Sequence, residues 1–190
     1  MPKLTYELEH RRLASEIGSL HLAWREYLAI TTDPAEVRRL NNVAPRFFGL
    51  VQRCLLREVM AAIGRLTDAA RNRVQLNLTL RHLLEDPSLV PGSPERHDVE
   101  AAIENAIEKA KPIRMHRHKY IAHLDRASAA DGHSPLVDDL QRQDLVDAIA
   151  AIARAYAEYV DRTPTPRPRE PKHPASGSAK DLLRFLASHE

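Results

Sequence analysis

The densest cluster of basic side chains in this chain lies between residues 109 and 126. Its lysines and arginines are Lys109, Lys111, Arg114, Arg117, Lys119 and Arg126, and its histidines are His116, His118 and His123. Asp125 is the one acidic residue in the stretch. Guanidinium and ammonium groups bind phosphate oxygens, and histidine transfers protons near neutral pH. The cluster predicts an anion site, with RNA phosphate as the preferred ligand. A cationic face that contacts only solvent is the alternative.

Arg117 stands where the helical pattern calls for an apolar side chain. The preceding stripe recurs at steps of four and three residues and consists of Val99, Ile103, Ala106, Ala110 and Ile113. An arginine that continues such a stripe is costly unless it is paired. We therefore expect a carboxylate, a partner subunit or a bound phosphate beside Arg117. Pro112 predicts a kink just before it.

The elements that must position this stretch are predicted to be helices, because glycine is scarce and no clear strand pattern occurs. Apolar periodicity predicts helices over about residues 4–30, 42–66, 76–85, 98–125 and 141–160. Asp33 and Pro34 predict a helix start, and residues 86–97 predict a loop. The expected apolar faces are Phe47, Leu50, Cys54, Val59 and Ile63 on the second helix, and Val146, Ile149, Ala153, Tyr156 and Val160 on the fifth. Short connections between long helices favour an all-α, antiparallel bundle of four to five helices.

Composition bounds the class of protein and its organisation. The 190 residues carry a net charge of +2 and one cysteine, Cys54. With no long apolar run and no secretion signal, the sequence predicts a cytoplasmic chain without a membrane span. We expect the bundle over residues 1–161, followed at 162–190 by an extended Pro-rich linker and a short amphipathic segment. That segment, around Leu183 and Phe185, is either a tail that touches the body or a helix that docks on a partner.

Arg117–His123 resembles the Arg-x4–6-His signature of HEPN ribonucleases. The wider run Ile113–Asp125 resembles the abortive-infection AbiU branch of that superfamily. Further features of the resemblance are Trp24 and Tyr27 in the first helix, Arg65–Asp68 at the end of the second, and Leu76–Leu80 at the start of the third. The resemblance covers roughly residues 1–160.

The resemblance implies a homodimer that cleaves RNA without a metal or other cofactor and leaves 2′,3′-cyclic phosphate ends, in phage defence or as a toxin. His123 would act as general base on the ribose 2′-hydroxyl, and Arg117 would stabilise the charge on the phosphate. His118 would support the site by hydrogen bonding, and Arg114, Lys119 and Arg126 would hold phosphates. Asp125 would orient a histidine or pair with an arginine, and Tyr120 would pack beside the site.

One departure concerns Asp125, which stands where a related toxin branch often has a tyrosine two positions after the histidine. Modification of such a tyrosine is therefore not expected in this chain. On an ideal helix, Arg117 and His123 lie roughly 120° apart, so the long arginine side chain or a second subunit must bring them together.

Other functions remain open at this point. The same fold can serve as a non-catalytic module that binds RNA or a protein partner, such as an antitoxin, through the C-terminal tail. A metal-dependent hydrolase using His116, His118, His123 and His133 is disfavoured, because acidic ligands near these histidines are few. A sequence-specific DNA-binding protein is disfavoured, because no short helix–turn–helix segment is evident.

Overall fold

The structure, a computed structural model, describes residues 6–72, 75–118, 140–164 and 177–188. Its α-helices are α1 (Tyr6–Thr31), α2 (Pro34–Val43), α3 (Pro45–Thr67), α4 (Pro94–Lys109), α5 (Lys111–Arg117), α6 (Arg142–Arg162) and α7 (Ala179–Ala187). A two-residue antiparallel ladder joins β1 (Arg71–Asn72) to β2 (Gln75–Leu76). The predicted all-helical class is confirmed. None of the described helices is long and apolar enough to cross a membrane.

The helix α2 begins where Asp33 and Pro34 predict a helix start, although apolar periodicity predicted no helix over its length. The side chain of Asp33 caps it by accepting a hydrogen bond from the backbone N–H of Ala35 at 2.8 Å, and Pro34 occupies its first turn. It ends at Val43 because Pro45 disfavours helical geometry at Ala44, where φ is −157° and ψ is 74°. Pro45 then begins α3. Ala44 is therefore the boundary between two helices.

The predicted helix over residues 76–85 is wrong in type. β2 occupies its start, and a 3-10 helix over Leu80–Glu85 follows. The next helix begins at Pro94, inside the expected loop, because Ser93 caps it by accepting a hydrogen bond from the backbone N–H of Arg96 at 3.2 Å. It is also not continuous to Asp125, since α4 ends at Lys109 and α5 starts anew.

The chain divides into two compact units, and α1 and α3 contribute residues to both. The first unit comprises Met1–Gly18 and Met60–Arg167, and the second comprises Ser19–Val59 and Pro168–Glu190. In the second unit, Ile30, Leu40, Phe48 and Leu183 form a buried cluster. The C-terminal helix α7 thus packs against the helices α1 to α3 within that unit. The predicted boundary at residue 161 stays a prediction.

In the first unit, α4 packs along α6. The predicted stripe of α4 and α5 is confirmed, because Val99, Ile103, Ala106, Ala110 and Ile113 are completely buried. The predicted face of α6 is only partly right, since Ile149 and Val160 are buried but Val146 is 38% exposed. The buried face follows Leu145, Ala148, Ile152, Ala155 and Tyr159. Alanine occurs at both buried and exposed positions of α6, so the apolar pattern does not show which face of the helix is buried.

The predicted face of α3 is right only near its C-terminal end. Val59 and Ile63 are completely buried, whereas Phe47 is 58% and Leu50 is 51% exposed, and Cys54 is exposed. Phe48, the neighbour of Phe47, supplies the buried ring instead. The N-terminal half of α3 therefore presents an apolar stripe to solvent in the described structure.

A buried hydrogen-bond network surrounds Asp86. Its carboxylate accepts a hydrogen bond from the Tyr159 hydroxyl at 2.7 Å, and from the Ser88 backbone N–H and hydroxyl at 2.8 Å each. Because Tyr159 donates its proton to Asp86, the Tyr6 hydroxyl donates to Tyr159 across 2.7 Å. Burial acts to raise the pKa of Asp86, but the hydrogen bonds from Tyr159 and Ser88 outweigh it and hold that pKa below its ordinary value. Burial raises the pKa of Tyr6.

Candidate functional site

A break in the helix positions the basic residues of α5. The chain leaves α4 at Ala110, and Pro112 occupies the first turn of α5, where the missing N–H removes no helical hydrogen bond. The helix is therefore interrupted immediately before the basic stretch, as Pro112 predicts. Ile113 and His116 are buried, whereas Met115 is 73% exposed. The buried side chains of Ile113 and His116 hold α5 in place and so fix the direction in which Arg114 and Arg117 leave the helix.

Arg114 and Arg117 both reach the carboxylate of Asp68, which follows the last residue of α3. Nε of Arg114 lies 3.1 Å from Oδ1 of Asp68, and Nη2 of Arg117 lies 2.7 Å from Oδ2. The side chains are 32%, 24% and 30% exposed, respectively, for Arg114, Arg117 and Asp68. Of the three partners expected for Arg117, the structure therefore supplies a carboxylate. The paired charges are accessible from solvent.

The position of Asp68 explains why two cations meet there. Its backbone N–H donates to the carbonyl oxygen of Gly64 at 2.7 Å, so the residue extends the last turn of α3. A carboxylate at a helix C-terminus faces the negative end of the helix dipole, which is unfavourable. Two guanidinium groups compensate both the carboxylate and the helix terminus. The arrangement concentrates two fixed cations at one point of the first unit.

Gly64 allows the side chain of Arg117 to pack against α3. The guanidinium packs so closely against this residue that a β-carbon there would overlap Nη1, Cζ and Nε of Arg117. Gly64 is itself buried. The glycine at this position therefore lets the arginine lie along the helix and reach the carboxylate one turn later.

The arginine pair is partly accessible to a second anion, because the Arg114 and Arg117 side chains are partly exposed. A guanidinium carries five N–H groups in a planar fork, and the described contact with Asp68 uses one group of each arginine. An arginine pair with accessible N–H groups can hold two oxygens of a phosphate while the carboxylate fixes its orientation. Chemically, the site is suited to binding a phosphodiester and to stabilising negative charge that develops on it.

A cleft of about 400 Å³ lies beside the arginine pair. Asp68 lines this cleft and also forms the ion pairs with Arg114 and Arg117. Its other lining residues are Arg12, Leu13, Glu16, Arg65, Asn77 and Leu78. Arg65 donates to Oε1 of Glu16 through Nε at 2.7 Å and lies within 2.6 Å of it through Nη2. Asn77 is fixed by its side chain, which donates to the carbonyl oxygen of Ala69 at 3.0 Å. The cleft therefore combines apolar walls with oriented polar groups.

The predicted site residues divide into two groups. Arg114, Arg117 and His118 lie together on and just after α5, and the exposed His118 is the C-cap of that helix. The other predicted residues are Lys119, Tyr120, His123, Asp125 and Arg126, and they lie outside the described residues. Their assigned roles stay predictions. His116, a member of the predicted basic cluster, is buried, since only 4% of it is exposed.

Sequence reasoning did not identify Asp68 and Gly64 as partners of the motif arginine. Arg65–Asp68 contributes only to the family resemblance, and nothing in the apolar pattern of the second predicted helix singles out Gly64. A signal was nevertheless present, since a glycine in a helix interior costs stability and calls for a packing reason. Asp68, directly after the predicted helix end, is a candidate counter-ion for an arginine that lies on an apolar stripe.

Within the part of the chain that the structure describes, no three histidine, cysteine, aspartate or glutamate side chains are placed to hold a metal ion. A family model with the description AbiU2, of HEPN type, matches residues 3–163. Comparisons with curated proteins and with solved structures gave no match. The family match spans most of the chain, including α1 to α6 and the whole Arg117–His123 motif. The chain therefore belongs to the HEPN family AbiU2.

Proposed function

We propose that this protein is a metal-independent endoribonuclease that cleaves RNA by attack of a ribose 2′-hydroxyl on the adjacent phosphate. The observation that carries the proposal is the pair of Arg114 and Arg117, oriented by Asp68 and accessible to a phosphodiester. Membership of a HEPN family supports it, because HEPN domains are associated with RNA cleavage and abortive infection. We place the activity in phage defence or toxicity in the cytoplasm.

In the proposed reaction, His123 removes the proton from the 2′-hydroxyl and the 2′-oxygen forms a bond to phosphorus. The bond between phosphorus and the 5′-oxygen breaks, and that oxygen takes a proton from a protonated histidine. The products are a 2′,3′-cyclic phosphate and a 5′-hydroxyl. Arg117 stabilises the charge on the non-bridging oxygens, and Arg114 positions the phosphate. His118 supports the site by hydrogen bonding.

A homodimer is part of this proposal. Arg117 and His123 lie well apart around an ideal helix, so residues from two subunits can complete one cleft. Lys119 and Arg126 would then extend the cationic surface along the bound RNA, and Asp125 would orient a histidine. The cleft of the proposed dimer requires no cofactor.

The test is cleavage of total RNA by the purified protein in EDTA, with the ends mapped for 2′,3′-cyclic phosphates. Wild type should produce such ends, and Arg117→Ala and His123→Ala should abolish them. Matched controls are Arg81→Ala, at an exposed ion pair with Glu104, and His97→Ala, at an exposed histidine. The control variants should cleave as wild type does. Equal activity in all five proteins would refute the assigned mechanism.

The second candidate function is a non-catalytic module that binds RNA or a protein partner. The observation in its favour is the exposed stripe of Phe47 and Leu50 on α3, together with Phe185 on α7, which is 60% exposed. Exposed aromatic and aliphatic side chains on one unit are typical of contact surfaces. A folded dimer that binds RNA stoichiometrically, and never yields cyclic ends, would favour this function over the nuclease.

A further inference from the structure

The cleft beside the arginine pair has no role in the motif chemistry. It is lined by the apolar side chains of Leu13 and Leu78 and by the polar side chains of Arg12, Glu16, Arg65 and Asn77. Asp68 forms one wall of the cleft and also accepts the hydrogen bond from Arg117 at 2.7 Å. Whatever occupies the cleft therefore lies next to whatever the two arginines bind.

We propose that this cleft is a base-binding subsite, which takes the nucleobase attached to the phosphate at the arginine pair. The proposal rests on the proposed function, because it assumes that RNA phosphate binds Arg114 and Arg117. In a nucleotide, one ribose joins the phosphate to the base. A phosphate site and a base site must therefore share a border, and Asp68 provides that border.

The size of the cleft fits this ligand. Its volume of about 400 Å³ lies in the lower part of the range typical of small-molecule sites. That space accommodates a single nucleoside and excludes a folded protein segment. Leu78 is partly exposed, so the cleft offers an apolar surface on which a flat ring can rest, and the buried Leu13 forms part of the wall behind it.

The polar groups are held in place before any ligand binds. Arg65 fixes Glu16 by two contacts to the same oxygen, Oε1. Asn77 is fixed at two points, since its backbone N–H donates to the carbonyl oxygen of Ala70 at 2.8 Å and its side chain donates to Ala69. Preorganised groups lose little entropy on binding, which favours recognition over loose contact.

The chemistry of these groups favours particular bases. A carboxamide has both a donor and an acceptor and can pair with the edge of a base. A carboxylate only accepts hydrogen bonds, so Glu16 favours a base that carries an exocyclic amino group. Adenine, guanine and cytosine carry that group and uracil does not. The subsite should therefore bind an amino-bearing base in preference to uracil.

The test is equilibrium binding of adenosine 3′-phosphate, uridine 3′-phosphate and ribose 5-phosphate to the full chain in EDTA, measured by ligand-observed NMR titration. Wild type should bind adenosine 3′-phosphate about tenfold more tightly than uridine 3′-phosphate, as one good hydrogen-bonded contact predicts, and should bind ribose 5-phosphate more weakly than either nucleotide. Glu16→Gln should bring the two nucleotides to nearly equal affinity. Asn77→Leu should weaken both nucleotides and leave ribose 5-phosphate unchanged.

Leu78→Trp supplies an independent variant, because a larger ring fills the cleft without touching the arginine pair. It should weaken the nucleotides and spare ribose 5-phosphate. Equal affinity of wild type for all three ligands, or an unchanged preference for adenosine 3′-phosphate in Glu16→Gln, would overturn the subsite. Failure of the proposed function gives a different result. In that case, Arg114→Ala and Arg117→Ala would leave the affinity for ribose 5-phosphate unchanged.

Discussion

A β-carbon on Gly64 would lie 1.9 Å from Nη1 and 2.4 Å from Cζ of Arg117. The guanidinium therefore occupies the space that any other side chain at residue 64 would need. One turn later, directly after the last residue of α3, the carboxylate of Asp68 accepts a hydrogen bond from Nη2 of that arginine at 2.7 Å. The helix thus provides both the groove and the counter-ion for the motif arginine.

Gly64→Ala should displace Arg117 and leave the fold intact. The obstructing atoms are the end of a flexible side chain, and alanine is favoured over glycine inside a helix by about 1 kcal/mol. The melting temperature should therefore be unchanged or raised. RNA cleavage should fall by about tenfold or more, because a small misplacement of a charge-stabilising group is costly in the transition state. Thermal melting and cleavage of a labelled RNA measure the two effects.

Gly49→Ala is the matched control, since Gly49 lies in the same helix. A β-carbon there would meet only Nη1 of Arg53, at an ordinary contact distance of 3.7 Å. This variant should keep wild-type cleavage. An equal loss of cleavage in both variants would show that the effect comes from α3 and not from Arg117.

Asp68→Asn should separate binding from turnover. The substitution removes one negative charge beside the phosphate site, so RNA should bind more tightly and the KM should fall. The arginines lose their charged anchor, and kcat should fall by about tenfold. The ion pairs are partly exposed, so the change in unfolding free energy should stay below about 1 kcal/mol. Steady-state kinetics in low salt give the comparison.

A merely structural role of Asp68 predicts a different pattern from Asp68→Asn. In that case, kcat and melting temperature would fall together and the KM would not decrease. Asp98→Asn is the control, because Asp98 forms an exposed ion pair with Arg162 away from the arginine pair. It should leave both kinetic constants unchanged.

Much of the fold followed from periodicity and helix-start signals. The apolar stripe of α4 and α5 was predicted residue by residue, because large aliphatic side chains marked it. The buried face of α6 was predicted only in part, because alanine occurs at both its buried and its exposed positions and does not distinguish them. The start of α2 was predicted from Asp33 and Pro34, but its length was not, because its one buried residue, Leu40, gives no period.

The candidate site was predictable on one helix only. Arg117 stood out because it interrupts an apolar stripe, and that pattern requires a partner without naming it. Asp68 is 49 residues away in sequence, and only the packing of α5 beside the end of α3 brings the two together. Long-range pairings of this kind are not encoded in local spacing. The contact between Gly64 and Arg117 could not be predicted for the same reason.

The buried network at Asp86 predicts a specific dependence of stability on pH. The folded pKa of Asp86 lies below its ordinary value of 3.8. The stabilisation is therefore fully present above that value and is lost as the pH falls through the folded pKa. Asp86→Asn should lower the free energy of unfolding by about 1–3 kcal/mol at pH 7, with a smaller difference from wild type at pH 3. Urea titrations at both pH values measure it.

The control for this network is Tyr159→Phe, which removes one hydrogen bond to Asp86 and leaves the carboxylate in place. It should destabilise the protein at pH 7 by less than Asp86→Asn does. A difference between Asp86→Asn and wild type that is the same at pH 3 and pH 7 would contradict the assigned role of the charged form.

Leu183→Ala should show that α7 is part of the folded second unit. Leu183 is 7% exposed and packs with Ile30, Leu40 and Phe48, so its truncation leaves a cavity. The free energy of unfolding should fall by about 2–3 kcal/mol, and the amides of α7 should exchange faster with solvent. Phe185→Ala on the same helix removes a 60% exposed ring and should change stability by less than about 0.5 kcal/mol. Equal effects of the two variants would mean that α7 does not pack on this unit in solution.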